Sequence, residues 1–185
     1  LVNKAEDLRT FIQWRKDGKH FISSSSLRYS KDLEPYYENH DEFGELMYIC
    51  RPMPKILETY GIHALESIYP LLGPGFVSVQ NTGTYERTML HIVHKNGCHV
   101  HIPQGIGMSG GGAMIIGSKK SQYIVGGDTF YSFKKQLELF VHYLRTGIEP
   151  FPFDETIELM KLLIGAIISR EEGNRKVMLE EIEVS

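Results

Sequence analysis

The segment LETYGIHALESIYPLLG, residues 57–73, decides the fold of this chain because one of its helical faces is continuously apolar. The spacing i, i+4, i+7, i+8 is that of a buried helix face, and the residues that follow it are Leu57, Gly61, Ala64, Leu65, Ile68 and Leu72. A second stripe beside it carries hydrogen-bonding and titratable groups, namely Thr59, Tyr60, His63, Glu66 and Ser67. The segment therefore predicts a helix with two neighbours, a core beneath it and a polar environment beside it.

The composition is that of an ordinary globular domain, and it excludes several classes of protein. The chain has 185 residues, which is enough for one core of normal size. A net charge of -3 without a basic block argues against a nucleic-acid partner. No apolar run approaches the roughly 20 residues that cross a bilayer, so no membrane contact is expected. Cys50 and Cys98 without a secretory signal predict free thiols and a cytoplasmic location.

The pattern outside residues 57–73 predicts further helices and a series of short strands. Helical periodicity covers residues 4–17, 130–145 and 154–170, the last with Asp154 as its N-cap. Strands are predicted at FISSSSLRYS, ELMYICR, FVSVQ, both arms of TMLHIVHKNGCHVHIPQG, a pair within AMIIGSKKSQYIVGG, and the closing KVMLEEIEV. This order predicts an α+β fold in which an open-faced, mostly antiparallel mixed sheet carries helices on one face.

The hairpin TMLHIVHKNGCHVHIPQG, residues 88–105, concentrates histidines around an Asn-Gly pair. A two-residue turn at that pair would place His94 opposite His99, with His101 as a diagonal neighbour on the same face. His91 and Cys98 would then point to the other face. Three clustered histidines are conceivable zinc ligands, but no carboxylate lies nearby in sequence to orient their rings. A polar sheet face or a subunit interface is therefore favoured over a metal site.

The remaining motifs do not form a nucleotide site or a hydrolase site. Gly112 and Gly117 have the GxxxxG spacing of a phosphate loop, but Ser118 follows and Lys119 comes one place late. No G-x-G-x-x-G loop stands between a strand and a helix, and no G-x-S-x-G elbow is present. Of all the polar features, the stripe around His63 is the best candidate for chemistry, because a histidine can exchange protons near neutral pH.

Three collinear segments resemble one protein family, the glucose–fructose oxidoreductase/inositol dehydrogenase/MocA-like (Gfo/Idh/MocA-like) oxidoreductases. Residues 133–182 look like the family's closing pattern of a long helix, a TG-x-x-P turn, a Glu-Thr helix start and a Ser-Arg…Gly end. YGIHALESIYPLLG is similar to the family's G-x-H-x-x-D helix that lines the substrate pocket. SSSSLRYS resembles the strand that enters the second domain with an Arg-aromatic pair. The resemblance is loose, but it covers nearly the whole chain.

The resemblance implies part of a two-domain NAD(P)-dependent oxidoreductase that acts on a sugar, a cyclitol or a related polyol. Residues 1–30 would be the last helix and strand of a truncated N-terminal Rossmann domain. Residues 31–185 would be the C-terminal α/β domain for substrate binding and oligomerisation. NAD or NADP would be bound mainly by the missing domain, and a homo-oligomer, dimer or tetramer, would form through the sheet face. The dinucleotide loop and the family's catalytic lysine are absent, so residues 1–185 alone are expected to be inactive.

The resemblance also assigns site residues one by one. His63 matches the family histidine that handles the substrate hydroxyl proton, which makes it the expected catalytic residue. Arg28 and Tyr29 match the domain-junction pair, and Tyr60 falls at the pocket edge. Thr59 stands where the family often has an Asp, and a threonine cannot act as a carboxylate base. These four residues are the expected substrate contacts. The departure at Thr59 keeps an alternative open, a non-catalytic domain for sheet-mediated dimerisation or interaction.

Overall fold

The computed structural model describes residues 2–184 as five α-helices, eight strands and two short 3₁₀ turns. The helices are α1 (Ala5–Lys16), α2 (Pro35–Glu38), α3 (Leu57–Leu72), α4 (Thr129–Thr146) and α5 (Phe153–Glu171). The strands are β1 (Leu46–Cys50), β2 (Met53–Pro54), β3 (Phe76–Asn81), β4 (Arg87–His94), β5 (His99–Gly105), β6 (Ala113–Gly117), β7 (Ser121–Ile124) and β8 (Val177–Met178). The 3₁₀ turns are Ser26–Tyr29 and Leu179–Glu181.

All eight strands belong to one mixed sheet. Its order is β7-β6-β1-β5-β4-β3-β8, and β2 pairs with β5 beyond the end of β1. Only the pairs β1–β5 and β2–β5 are parallel, and the other strand pairs are antiparallel. The predicted α+β class, with its mostly antiparallel mixed sheet, is therefore confirmed.

The core lies between one face of the sheet and the helices α3 and α5. Side chains from the sheet such as Ile49, Ile92 and Ile102 are fully buried there. The apolar stripe of α3 meets them as the sequence predicts: Leu57, Ala64, Leu65 and Ile68 are at most 1% exposed, Gly61 is buried and Leu72 is half-buried. Because apolar burial is the main driving force of folding, this contact fixes which side of α3 is left for His63.

The opposite face of the sheet has no helix over it within residues 2–184. Tyr48, Met89 and Tyr123 stand on this open face with 45%, 37% and 50% of their surface exposed. The open-faced sheet expected from the sequence is thus observed. No helix among the described residues is both long and apolar enough to cross a membrane.

The β4–β5 hairpin has a different register from the predicted one. His94 donates its backbone N–H to the Cys98 carbonyl (3.0 Å), so the loop has three residues rather than two, and Gly97 closes it at a φ of 90°. Val93, not His94, therefore lies opposite His99. The predicted pairing is wrong because Asn-Gly serves equally in a longer loop with a left-handed glycine. A one-residue shift sends every side chain of a strand to the other face.

The strand predicted through residues 21–30 is also wrong. Residues 19–25 have no regular hydrogen-bonded structure, and Ser26–Tyr29 forms a 3₁₀ turn instead. The Ser25 hydroxyl caps that turn by accepting the Leu27 N–H at 3.1 Å. A strand also needs a neighbour, and no strand of the described chain lies beside residues 19–25.

Two element ends differ from the sequence prediction in smaller ways. Pro152 is the N-cap of helix α5, so Asp154 lies in the first turn rather than at the cap. Its negative charge there still stabilises the helix through the helix dipole. The closing strand is limited to β8, because the chain turns into the 3₁₀ helix Leu179–Glu181 immediately after it. The other predicted helices and strands are confirmed in type and approximate position.

A matched pair of substitutions tests the two-faced sheet. Ile102→Ala removes a fully buried side chain beneath the helices and should lower the free energy of unfolding by about 2–5 kcal/mol. Ile116→Ala makes the same chemical change on the open face of β6, where the side chain is only half-buried, and should cost less than about 1 kcal/mol. Urea denaturation at low protein concentration measures both. Equal losses would contradict the assignment of the faces.

Candidate functional site

A cavity of about 310 Å³ lies between α3 and the segment that precedes the first 3₁₀ turn. Its wall combines hydroxyl, imidazole, carboxyl and apolar groups from Ile22, Ser23, Ser24, Ser25, Thr59, Ile62, His63 and Glu66. Three residues of the polar stripe predicted for α3, Thr59, His63 and Glu66, therefore line a cavity, whereas Ser67 is buried and accepts a hydrogen bond from Arg51. A few polar groups converging in a partly apolar cleft is the usual form of a small-molecule site.

His63 is held at one ring nitrogen and free at the other. Its Nδ1 lies 2.8 Å from the Ser25 hydroxyl, and the Tyr60 ring meets the imidazole edge-on with centroids 4.9 Å apart. No described residue hydrogen-bonds to its Nε2. Partial burial, together with the positive charge of Lys55, lowers the pKa of His63 below its ordinary value. The imidazole is therefore neutral at neutral pH and can exchange a hydrogen bond or a proton with a ligand.

Ser25 orients this imidazole. Its Oγ accepts the Leu27 N–H and keeps a second lone pair and its own hydrogen, so it can bond His63 Nδ1 as acceptor or as donor. When Nδ1–H donates to Ser25, Nε2 can accept a proton; when Nδ1 accepts from Ser25, Nε2 carries the proton and donates. The 3₁₀ turn thus fixes the orientation of the His63 ring toward the cavity.

Glu66 lies one turn after His63 on α3 and is fully buried. Arg28 Nη1 donates to its Oε2 at 3.0 Å, while its Oε1 has no hydrogen-bond partner among the described residues. The same guanidinium also pairs with Glu155, so one positive charge serves two carboxylates. Burial raises the pKa of Glu66 to about 7, against the opposing pull of Arg28.

Arg28 and Tyr29 lie behind the cavity wall rather than on it. Each is 7% exposed. The Arg28 guanidinium rests 3.9 Å from the centroid of the Phe151 ring and joins the first 3₁₀ turn to α3 and α5 through its two ion pairs. Its geometry is that of an internal brace. Thr59, by contrast, lines the cavity.

Tyr60 stands at the rim beside His63. Its hydroxyl lies 2.6 Å from Lys55 Nζ, and the same amine lies 3.9 Å from the centroid of the Tyr60 ring. No sequence pattern predicts Lys55 in this place. The run of four serines, by contrast, is typical of a segment that is crowded by neighbours or faces a polar cleft, and serines 23–25 do line the cavity.

A second depression, of about 360 Å³, lies where α5 begins. Asp154, Glu158, Lys161 and Glu180 are the charged groups of its wall. Both oxygens of the Glu158 carboxylate are engaged: Oε1 accepts the N–H groups of Gly75 and Phe76 at 2.9 and 3.0 Å, and Oε2 accepts the Tyr69 hydroxyl at 2.6 Å. Glu158 therefore holds the loop after α3 in place.

The histidine cluster exists, but with different members from those expected. His91, His99 and His101 share the open sheet face, and the His91 ring stacks on both others with centroids 5.0 Å apart. His94 is turned to the buried face against Phe76. The conceivable zinc site at His94, His99 and His101 is therefore wrong. Over residues 2–184, no three His, Cys, Asp or Glu side chains are arranged to hold a metal ion.

Comparison with known proteins gives matches in structure only. No protein-family model matches the sequence, and no curated protein matches it. Solved structures match closely. The chain superposes on GenD2 from gentamicin A biosynthesis, a complex with NAD, with a TM-score of 0.80 at 14% identity. It superposes on scyllo-inositol dehydrogenase from Lactobacillus casei, with NAD(H) and scyllo-inositol bound, with a TM-score of 0.76 at 11% identity.

A third match is aldose-aldose oxidoreductase from Caulobacter crescentus, complexed with glycerol, with a TM-score of 0.76 at 15% identity. Each of these three alignments covers 96% of the present chain and 69–70% of the other. The structure therefore has the fold found in sugar and cyclitol oxidoreductases of the Gfo/Idh/MocA type. The resemblance drawn from the sequence is confirmed at the level of fold.

The low pKa of His63 can be tested through Lys55. Lys55→Met removes the positive charge that disfavours the imidazolium, so the pKa of His63 should rise. The imidazole proton resonances, followed by NMR over a pH titration, measure it. Lys95→Met, an exposed lysine in the hairpin loop, is the matched control and should leave the titration unchanged. An unmoved or lowered pKa in Lys55→Met would contradict the electrostatic account.

The raised pKa of Glu66 predicts a pH-dependent stability. Between pH 4.5, the ordinary pKa of this carboxyl group, and about pH 7, the folded chain holds a proton that the unfolded chain releases. Stability should therefore fall as pH rises through this window, on the order of 2 kcal/mol. Glu66→Gln cannot titrate, so the native chain should lose stability relative to this variant between pH 4.5 and 7. Urea unfolding of both proteins at pH 4.5 and pH 7 measures the difference in their free energies of unfolding. A difference that does not change with pH would refute the proton uptake.

Proposed function

We propose that this chain is the substrate-binding and assembly domain of an NAD(P)-dependent oxidoreductase that acts on a sugar, a cyclitol or a related polyol. The observation that carries the proposal is His63, oriented by Ser25 and free at Nε2, in a hydroxyl-lined cavity. The fold adds support, since solved proteins of the same fold are named as inositol and aldose oxidoreductases.

The cavity suits a polyol because its hydroxyls and its imidazole are neutral donors and acceptors, and Glu66 is its one acidic group. Three serine hydroxyls and Thr59 can exchange hydrogen bonds with several ligand hydroxyls at once. Ile22 and Ile62 supply apolar wall for the carbon skeleton. With Nδ1–H donated to Ser25, the unprotonated Nε2 of His63 would accept the proton of the hydroxyl whose carbon is oxidised, or return that proton in the reverse direction.

The residues of this chain do not fit a dinucleotide. Within residues 2–184, no G-x-G-x-x-G loop lies between a strand and a helix, where it would cradle a pyrophosphate. NAD or NADP would therefore be held mainly by a further domain, of which residues 1–30 would be the last part. The contribution assigned to residues 31–185 is to bind the polyol, orient its hydroxyl and handle its proton.

Thr59 sets a limit on how His63 can work. No carboxylate lies one turn before the histidine on α3, and the buried carboxylate of Glu66 is already paired with Arg28. His63 would therefore depend on Ser25 for orientation and on its own lowered pKa for neutrality. Arg28 and Tyr29 would contribute to substrate binding only indirectly, by supporting the cavity wall.

The open sheet face is the proposed assembly surface. It presents exposed apolar side chains on a sheet whose other face is fully covered, and such patches mark interaction sites. A second copy of the chain would cover it in a homodimer, or in a tetramer. Cys50 and Cys98 are both free thiols, which supports a cytoplasmic setting for the assembly.

A second candidate is a non-catalytic interaction domain that keeps the sheet contact and has lost the chemistry. Thr59 favours it, because His63 has no carboxylate partner of its own. The two candidates differ in what they require of His63.

Replacing His63 separates the candidates. In the complete polypeptide that contains residues 1–185, His63→Ala should lower kcat/KM for polyol-dependent reduction of NAD(P) by at least about 100-fold, through loss of proton transfer. His142→Ala, an exposed histidine on α4, is the control and should keep full activity. Unchanged activity in His63→Ala would reject the proposed role of His63, whereas turnover by residues 1–185 alone would reject the assignment of cofactor binding to a further domain.

A further inference from the structure

Arg51, the residue after β1, is a buried arginine without an acidic partner. It is 8% exposed, about as deeply buried as Arg28, which pairs with two carboxylates. Its Nε donates to the Ser67 hydroxyl at 3.0 Å, and its Nη1 donates to the Gly111 carbonyl. Within residues 2–184, no carboxylate forms an ion pair with this guanidinium, and no group accepts from its Nη2.

The surroundings of Arg51 leave its positive charge unbalanced. Burial lowers the pKa of Arg51, and only the hydroxyls of Tyr37 and Tyr123 oppose that shift. Tyrosine hydroxyls are neutral at neutral pH, so they supply no negative charge. A buried ion is costly unless an opposite charge accompanies it. The fold therefore holds a cation in place whose counter-charge does not come from residues 2–184.

A small cavity of about 20 Å³ lies beside Arg51, between the end of the first 3₁₀ turn and the start of α4. Its wall includes Ser30 after the turn and Gly126 and Gly127 before the helix. One water molecule needs roughly 10–15 Å³ of such space. The cavity therefore has room for one species of about that size.

Ser30 gives this cavity a second free donor. The residue is 6% exposed, and within residues 2–184 its hydroxyl makes no hydrogen bond, although its carbonyl accepts two N–H groups of the next turn. A Cβ on Gly126 would lie 2.8 Å from Ser30 Oγ. The hydroxyl therefore faces the space that Gly126 leaves open by having no side chain, and its hydrogen can turn toward a ligand there.

The acidic groups near the cavity are occupied by the backbone. Asp128 is the one acidic residue of the wall, and its Oδ1 caps α4 by accepting the Tyr131 N–H at 2.8 Å. Outside the wall, Asp32 accepts the Gly127 N–H at 3.2 Å. The donors free to meet a ligand are thus a guanidinium and a hydroxyl, and such a set favours a negative ligand.

We propose that Arg51, Ser30 and the loop at Gly126 bind a small inorganic monovalent anion of halide size, such as chloride. The anion would accept hydrogen bonds from Arg51 Nη2 and the Ser30 hydroxyl and would balance the buried charge. It would also tie the end of β1, the first 3₁₀ turn and the loop before α4 to one another. The site is separate from the His63 cavity and does not depend on the proposed function.

The size and charge of the cavity select this ligand over its competitors. Sulfate and phosphate have five heavy atoms each, which the space for one water-sized species does not hold. A water molecule fits and can accept from both donors, but it leaves the charge of Arg51 unbalanced. A halide ion combines the size of the space with the missing charge.

Chloride NMR on the complete polypeptide that contains residues 1–185 tests the site in solution. Bound chloride that exchanges with free chloride should broaden the chloride resonance, and the broadening should saturate. Ser30→Ala removes one donor, and Gly126→Ala fills the space between them, so each should weaken chloride binding at least about tenfold. Arg51→Met should abolish it. Arg145→Met, an exposed arginine on α4, is the matched control and should bind chloride as the unchanged protein does.

Arg51→Met also leaves the Gly111 carbonyl without its donor. If that variant does not fold, Ser30→Ala and Gly126→Ala decide the result. Equal chloride binding in these two variants and in the unchanged protein would overturn the proposal.

Crystals of the complete polypeptide soaked in bromide locate the ion. An anomalous peak within hydrogen-bond distance of Arg51 Nη2 and Ser30 Oγ is the expected result. A water at this position in the presence of bromide would overturn the proposal. Bromide found only at other surface positions would show an adventitious ion only, and would overturn it as well.

Discussion

The burial of one face of α3 against the sheet is the contact on which the rest of the structure depends. With Leu65 and Ile68 pinned in the core, the helix cannot rotate, and its polar stripe must face sideways. That orientation places His63 at the cavity and sends Glu66 inward to Arg28. The core therefore determines where His63 and Glu66 lie, because burying one stripe of a helix fixes the directions of all its other side chains.

Buried charge then sets the protonation states around the cavity. Arg28 holds the first 3₁₀ turn between α3 and α5 by pairing with Glu66 and Glu155. That turn carries Ser25, which holds the His63 ring. Burial raises the pKa of Glu66, and the charge of Glu155 adds to this shift against the opposing charge of Arg28. Burial also lowers the pKa of His63, together with the charge of Lys55.

Within residues 2–184, helices cover one face of the sheet, while two other surfaces keep exposed apolar side chains. Helices α3 and α5 complete the core, while the open sheet face and the flank formed by α4 and residues 19–25 keep exposed apolar or unpaired groups. The sheet face presents exposed apolar side chains, whereas the flank combines exposed apolar side chains of α4 with backbone N–H groups at residues 20–24 that have no acceptor within residues 2–184.

The sequence by itself determined the α+β class, the helices, most strands, and the two-sided character of α3, because these depend on local periodicity and on stop signals such as Gly73. Only the tertiary structure decided the hairpin register, since Asn-Gly fits two loop lengths, and hence which histidines stand beside His99. It also decided that residues 19–25 form no strand, because a ladder requires a neighbour. The ion pair of Arg28 with Glu66 and the orientation of His63 by Ser25 could not be predicted from local sequence pattern either, because each contact joins residues that are 38 positions apart.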